Sequence, residues 1–536
     1  MKATMQDVPL NVSALFEHGR TVHPDSVVVH YDDTTVTERT FDAVGDDVVR
    51  LANALRDIGV GPGDVVATLC WNTPAHLAAY FAVPSIGAVL HTLNLRLHRD
   101  QLGYIVEHAG DRVIIVDSTL VDTLAAVGEL GRLSGVEHVI VVGTATPRLP
   151  AAIRVHRYAD LLDAASAEIE WPVVDETTAA ALCYTSGTTG NPKGVAYSHR
   201  SMYLHTLQIS TGSAFGFSDA DRVFPIVPMF HANAWGWPHA AWVAGSDIVL
   251  GDRHLRVDHL ARVITELRPT ATAAVPTLWT GLDTYARENV VDYSSLRLAV
   301  SGGSPLSASL VRKLADHGVT LTQGWGMTET SPLLTFSRSE PGTSPEDAVT
   351  RQAMTGHIVP GVRARVVGDD GAELPWDGES VGEIQLRGAT ITGGYVGSDG
   401  ADAFDDGWLR TGDLGVIARG GWIAIKDRLK DGIKSGGEWI STVELEAALS
   451  EHPDVAEVAV FGVADPKWEE RPLACVVAKP GAVLDQNELV AFLSERVARW
   501  WLPERWAFLP EIPKTTVGKM DKRQLRSWHE DGTIEV

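Results

Sequence analysis

Cysteine is scarce in this chain, with residues 70, 183 and 475 far apart and each set in an apolar run of the 536-residue sequence. An odd, scattered set excludes a disulfide framework and reads as buried thiols in a reducing compartment, and no pair has the spacing of a zinc site. Positive charge is the second shortage. With 45 Lys and Arg against 69 Asp and Glu, the formal net charge is −24, which argues against a nucleic-acid-binding face and against electrostatic attachment to anionic lipid. Any anionic substrate must therefore meet local positive charge. Membrane-length hydrophobic runs are missing too: the apolar stretch Leu77 to Leu90 is too short to span a bilayer and contains Pro84 and Gly87. The N-terminus lacks the charged-then-apolar order of a signal peptide. The expectation is a cytoplasmic protein with no transmembrane segment, no repeat and no low-complexity tract.

What is present is ordinary bulk and one unusual loop. A hydrophobic fraction of 45% with 21% charged residues fits a globular enzyme, and the length implies a large multi-layer domain with at least one smaller one. The loop is Tyr184-Thr-Ser-Gly-Thr-Thr-Gly-Asn-Pro-Lys-Gly194. Gly187, Gly190 and Gly194 let backbone N–H groups converge closely on one anion, and Thr185, Ser186, Thr188 and Thr189 add hydroxyls. Strand-like Ala179–Tyr184 precedes it and Gly194–Tyr197 resumes an apolar alternation, so the glycines sit in a turn between strands. Walker A chemistry needs Gly-Lys-Ser/Thr opening a helix, whereas Lys193 lies between Pro192 and Gly194. The loop is either a different phosphate cradle or a flexible hairpin.

Around it, strands and helices alternate. A helical period runs from Thr40 to Leu55, a strand is expected at Val65–Cys70, a helix from Ala75 to Phe81, and further strands at Val113–Val116 and His138–Val142. This is an α/β pattern. Residues 144–175 read as a less periodic connection. Val223–His231 reads as an apolar strand ending in one imidazole, which is either structural or functional. Leu296–Val300 is a strand leading into Ser301-Gly-Gly-Ser-Pro-Leu306, with Ser304 as helix cap and Pro305 at the first helical position. Gln323-Gly-Trp-Gly-Met-Thr-Glu329 follows, then Trp408–Asp413, a charged and glycine-rich linker at 425–440, and a capping box at Ser441–Glu444. Strands at Val455–Val463 and Leu473–Ala478 and a helix from Gln486 to Val497 suggest a compact α+β unit.

The order Thr-Ser-Gly-Thr-Thr-Gly-x-Pro-Lys-Gly resembles the signature loop of the adenylate-forming enzymes, the superfamily of AMP-forming acyl-CoA synthetases, luciferases and peptide-synthetase adenylation domains. Later motifs recur in that superfamily's order over roughly residues 13–525. The resemblance implies an N-terminal adenylation domain of mixed sheets covered by helices, 1–429, and a small mobile C-terminal domain, 430–536, with its hinge near Lys430. It assigns Thr185, Ser186, Gly187, Thr188, Thr189, Gly190 and Lys193 to the phosphates of ATP. Gly302, Gly303, Ser304 and Pro305 would take adenine and one wall of the acyl pocket, with Gln323, Gly324 and Trp325 beside them. Thr328 would meet the α-phosphate, and Glu329 with Thr185 would hold Mg²⁺, a hard ion served by few protein oxygens. Asp413 and Arg428 would bind ribose, Lys434 and Trp439 would touch nucleotide, and Ser435, Gly436 and Gly437 would line the coenzyme A channel. His231 and Val275 would border the acyl group, and Trp235 would be its gate or else a core residue. Lys519, from Ile512-Pro-Lys-Thr-Thr-Val-Gly-Lys519, would bridge the carboxylate and the α-phosphate. Catalysis thus falls to Lys519, His231, Thr185 and Glu329.

The activity implied is activation of an aliphatic, medium- to long-chain carboxylic acid to acyl-AMP and transfer to coenzyme A. Aryl, sterol-side-chain or short branched acids, a carrier-protein acceptor, luciferase-like oxidation and a non-catalytic binding protein are the alternatives. The presence of Lys519 and Glu329 counts against the last. Homodimerisation is expected only from the fatty-acid members. One departure is Glu469, at a position where many relatives have Gly.

Overall fold

The computed structural model describes residues 1, 3–32, 35–185, 191–339, 342–398, 400–435, 438–514 and 520–534. Among them the strands form three sheets. The first is seven-stranded, in the order Arg154–Arg157, His138–Val142, Asp111–Asp117, Val65–Leu69, Val89–Thr92, Ala179–Tyr184, Gly194–Ser198. Its strands run parallel until the last pair, where Gly194–Ser198 turns back antiparallel on Ala179–Tyr184. The central strands are continuously apolar because helices cover both faces. Arg154–Arg157 and the helix Tyr158–Ala164 lie in the segment expected to be less periodic.

The second sheet joins a parallel half, Asp247–Leu250, Arg222–Pro225, Ala271–Ala274, Leu298–Ser301 and Leu321–Gly326, to an antiparallel half that begins at Leu333–Phe336. Leu321–Gly326 belongs to both. The two sheets enclose a core that includes Trp237, Trp242, Phe41, Phe81 and Phe215. The Phe41 and Trp242 rings stack with centroids 4.1 Å apart. A third, five-stranded sheet contains Ile433–Ser435, Glu438–Ile440, Val455–Asp465, Glu469–Ala478 and Arg505–Phe508, and it has its own apolar clusters around Val460 and Phe461. The fold is α/β, with a large N-terminal domain and a small β-rich C-terminal one. Among the described residues no helix is long and apolar enough to cross a membrane.

Three local expectations change. The strand expected over Val223–His231 stops at Pro225, because Asn72 takes over the backbone beyond it. The Asn72 amide donates to the carbonyls of Pro225 and Val227, both at 3.1 Å, and its oxygen accepts from Met229 N–H at 2.8 Å. The helix expected to start at Ser304 spans Ala308–Asp316 and is capped by Ser307, whose hydroxyl accepts from Leu310 N–H. Leu306 N–H instead bonds the Gln323 side chain at 3.1 Å, which holds the preceding residues as a loop. The charged stretch 425–440 is largely strand, with Trp422–Arg428 and the hairpin Ile433–Ser435/Glu438–Ile440 leaving only residues 429–432 between them. At Ser441 the hydroxyl caps the Glu444 N–H, but the Glu444 carboxylate turns to Lys426 at 2.7 Å rather than completing the box.

Glu469 sits with φ +70 at the start of Glu469–Ala478. A left-handed conformation costs a non-glycine residue about 1–2 kcal/mol, while glycine would cost about 0.5–1 kcal/mol in unfolded-chain entropy. Glu469→Gly should therefore raise the unfolding free energy by about 0.5–1 kcal/mol. A denaturant midpoint at or below the parent's contradicts this.

Candidate active site

The site is assembled where the two large sheets meet. Strand Ala179–Tyr184 delivers Thr185, whose N–H donates to Lys193 O at 2.9 Å, while Lys193 N–H donates back to the Thr185 hydroxyl at 3.2 Å. That pair closes the base of the Gly/Thr-rich loop. Ser186, Gly187, Thr188, Thr189 and Gly190 lie outside the described residues. Gly194 is extended rather than left-handed, and its smallness serves packing: a Cβ there would lie 3.1 Å from Cζ of Tyr184.

Glu329 faces this base from the second sheet and is buried. The Tyr395 hydroxyl donates to its carboxylate at 2.8 Å, and the Lys193 ammonium lies 4.8 Å from the centroid of the same Tyr395 ring. Burial, followed by Glu329, pushes the Tyr395 phenol's pKa up, so this hydroxyl stays protonated as the donor. Three backbone-directed bonds fix the group: Val396 N–H to Gly194 O at 2.9 Å, Thr392 N–H to Glu329 O at 2.8 Å, and Tyr197 O–H to Thr328 O at 2.6 Å. Lys193, Glu329 and Thr328 are thus drawn together by Tyr395 and Tyr197. The Glu329 carboxylate and Thr185 hydroxyl are hard oxygen donors of the kind that suits Mg²⁺, which fills its remaining positions with waters and phosphate oxygens.

The apolar side is formed by a strained turn. After Pro225 the chain passes through His231, half-buried and ahead of the turn Ala232–Gly236. Ala232, Asn233, Ala234 and Trp235 have φ of 43, 50, 48 and 57, followed by Gly236 at 77. Left-handed backbone costs non-glycine residues about 1–2 kcal/mol apiece, less for Asn, so the surroundings must offset several kcal/mol. Two anchors are visible. The Asn233 oxygen accepts from Cys183 Sγ at 3.3 Å and from the Thr92 hydroxyl at 3.4 Å, and Gly236 lies under the His205 ring, 2.7 Å from where a Cβ would stand. Cys183 is a buried thiol pushed up to about 11 by its desolvation, so it remains protonated and donates.

The turn lays the Trp235 indole on a glycine floor. A Cβ on Gly302 would lie 2.9 Å from Trp235 Cη2 and 3.0 Å from Gly324 O; one on Gly303 would lie 3.6 Å from Val275. Trp235, Val275, Gly302, Gly303 and Gly324 therefore share one wall, and the flat ring resting on it is the protein's own. Trp325, on the opposite face, packs half-buried against the cluster containing Leu334 and Ile384. Ser304 and Pro305 continue the loop, and Gln323 holds it through Leu306.

Asp413, buried on Trp408–Ala418, lies directly opposite Arg428 on the neighbouring strand, with Arg428 Nε 2.8 Å from its carboxylate. Leu429 N–H then bonds Gly412 O at 2.8 Å, and Arg526 pairs with Asp431 at 2.9 Å, so the turn carrying Lys430 is held from both sides. Burial lowers the pKa of the Lys430 ammonium, against the pull of Asp431. Lys434 pairs with Asp369 at 2.9 Å, which raises its pKa, and lies over Trp439, its cross-strand partner. Ser435 is buried and accepts from Arg471 at 3.2 Å. Gly436, Gly437 and Lys519 lie outside the described residues.

A buried carboxylate and a lysine held around one tyrosine ring, beside an apolar wall floored by glycines, are the arrangement the fold presents. The chain matches the AMP-binding enzyme family over residues 16–396 and the AMP-binding enzyme C-terminal domain over residues 444–519, and it belongs to that family of adenylate-forming ligases. Within it the chain is an acid–thiol ligase, an acyl-CoA synthetase using ATP and coenzyme A. It is 41% identical to a long-chain-fatty-acid–CoA ligase of Thermus thermophilus, covering 99% of this chain and 97% of the relative. It is 39% identical to a 3-methylmercaptopropionyl-CoA ligase of Ruegeria pomeroyi, covering 99% of each. Its fold matches the crystal structure of an anthranilate CoA ligase in complex with anthranoyl-AMP with a TM-score of 0.86 and 26% identity, covering 98% of both chains.

Tyr395, Tyr197, Asn72 and Asn233 are positioning residues that sequence reasoning missed, because the groups they hold are distant in sequence. Removing a hydrogen bond to a charged group costs about 1.5–3 kcal/mol. Tyr395→Phe should therefore lower kcat/KM for ATP about tenfold or more, read by pyrophosphate release across ATP concentrations. An unchanged value would break the link drawn between Tyr395 and Glu329.

Proposed function

We propose that this ligase activates an aliphatic carboxylic acid of medium to long chain. The reading rests on the Trp235 indole lying over Gly302 and Gly303: a flat apolar lid on an apolar wall is chemistry for an alkyl chain, and the described residues of that wall, Trp235, Val275, Gly302, Gly303 and Gly324, include no acid to meet an amino-acid ammonium. The relative named for long-chain fatty acids supports it. The relative named for 3-methylmercaptopropionate favours a second reading, a short thioether acid. We place the reaction in the cytoplasm, where ATP, coenzyme A and the reducing conditions suited to its free thiols coincide.

In the first step an oxygen of the acid carboxylate attacks the α-phosphorus of ATP and pyrophosphate leaves, giving acyl-AMP. The carboxylate is already ionised at neutral pH, so no general base is required. The difficulty is bringing two anions together, and it falls to Lys193, Thr328 and the Lys519 ammonium, which we assign to the gap between carboxylate and α-phosphate. Glu329 and Thr185 would hold Mg²⁺, which when bound screens the triphosphate charge. Asp413 and Arg428 would grip the ribose, and His231 would border the acyl carboxyl end. In the second step the coenzyme A sulfur attacks the acyl carbon and AMP leaves with the former carboxylate oxygen. We assign its approach to Ser435, Gly436 and Gly437, with residues 430–536 turning about Lys430 between the steps.

Initial rates of pyrophosphate release, with acids from two to eighteen carbons, benzoate, phenylacetate and 3-methylmercaptopropionate, each with and without coenzyme A, test the substrate. A coenzyme-A-dependent maximum at an aliphatic chain of eight carbons or more is expected; a maximum at 3-methylmercaptopropionate or an aryl acid would overturn it. Lys519→Ala should cut acyl-AMP formation by about 100-fold or more while leaving thioester formation from supplied acyl-AMP within about fivefold. Equal loss in both half-reactions would remove its assigned role. Trp235→Ala should raise affinity for the acid in the absence of ATP, measured calorimetrically, and an unchanged affinity would reduce Trp235 to a packing residue.

A further inference from the structure

A cavity of about 400 Å³ opens at the opposite end of the parallel strands from the glycine floor, lined by Leu298, Thr322, Phe215, Phe336, Arg297 and Arg338 among others. Its relation to the acyl wall follows from strand geometry. Gly324 and Thr322 are two residues apart on Leu321–Gly326, hence on the same face and about 7 Å apart. Below Gly324, a Cβ would meet Leu333 at 3.3 Å, Val300 at 3.6 Å and Phe336 at 3.9 Å. Phe336 therefore packs against the face that Gly324 shares with Thr322 and also lines the cavity. It pairs with Gly324 across the ladder and is buried, and its ring meets Phe215 edge-on with centroids 5.3 Å apart. One phenyl ring, braced by a second, stands between Gly324 and the cavity.

The rim of the cavity carries two guanidinium groups, and both are committed. Arg297 pairs with Asp221 at 2.6 Å and donates to the carbonyls of Phe215 and Gly216, while Arg338 donates to Gly212 O. With the Arg297 charge met by Asp221 and Arg338 turned onto a backbone carbonyl, Leu298, Phe215 and Phe336 provide apolar lining for a hydrocarbon tail.

We infer that Phe336 is the residue that limits acyl-chain length, acting as a partition between the acyl pocket and this second cavity. The inference rests on the aliphatic reading of the substrate given above. A tail running down the face of Gly324 and Thr322 ends at the Phe336 ring, and removing the ring joins the 400 Å³ beyond it to the pocket. Each further methylene buried instead of left in water multiplies binding about fourfold, so a tail that gains entry is felt strongly in kcat/KM.

The test compares kcat/KM across saturated acids from four to eighteen carbons for the parent enzyme, Phe336→Ala and the milder Phe336→Leu, each first shown to melt cooperatively. In Phe336→Ala the ratio of kcat/KM for an acid four carbons beyond the parent's optimum to that at the optimum should rise about tenfold or more. Phe336→Leu should shift it in the same direction by less, and adding Leu298→Phe to Phe336→Ala should reverse the gain by refilling the cavity. An unshifted ratio in whichever of the two single variants folds overturns the partition. A parent enzyme that turns over no aliphatic acid overturns the substrate reading itself, and the partition falls with it. The parent profile thus separates failure of the first claim from failure of the second.

Discussion

The close approach of the Trp235 ring to the backbone of Gly302 is the contact on which the rest of the site depends. It requires glycine at 302, since any Cβ would stand 2.9 Å from the indole. It also requires the left-handed turn Ala232–Gly236, because only that turn aims the indole across to the neighbouring strand's loop. Such a turn is unfavourable in isolation, so it persists only where both sheets contribute anchors. Cys183 and Thr92 hold Asn233 from the first sheet, and His205 covers Gly236 while accepting from Leu333 N–H of the second at 3.2 Å. Since Cys183 lies on the strand that leads directly into Thr185, the anchor of the Trp235 turn and the base of the Gly/Thr-rich loop share one piece of backbone.

The same logic gives the tyrosines their place. Tyr395 touches Lys193 through its ring and Glu329 through its hydroxyl, so two groups 136 residues apart in sequence are set by a third side chain from a loop. Asp413 and Arg428 show the alternative device, a cross-strand pair on adjacent antiparallel strands. The sheets position these side chains, and the short stretch 429–432 leads to the small sheet, where Lys434 meets Asp369 across the boundary.

Much of this was legible in the sequence where the signal is local. The strands flanking the Gly/Thr-rich loop are visible because apolar alternation acts over a few residues, whereas the left-handed backbone at Glu469 appears only in the structure. The failures share a cause. Ser304 looked like a cap because Pro305 follows it, yet the Gln323 side chain, seventeen residues on, holds Leu306 and delays the helix to Ser307. His231 looked like a strand end because Val223–Phe230 is apolar, but Asn72 captures that backbone from another sheet. A left-handed turn through two alanines, an asparagine and a tryptophan has no signature in composition. Phe336 reads as a core aromatic until the space on each side of it is known.

The account stands on acyl transfer through an adenylate, and oxygen tracing tests that directly. With a carboxylic acid labelled with ¹⁸O in both carboxyl positions, plus ATP and coenzyme A, mass spectrometry should find one labelled oxygen in the AMP product and one in the thioester carbonyl. AMP without label, or label appearing in orthophosphate or pyrophosphate, would contradict attack of the acid on the α-phosphorus.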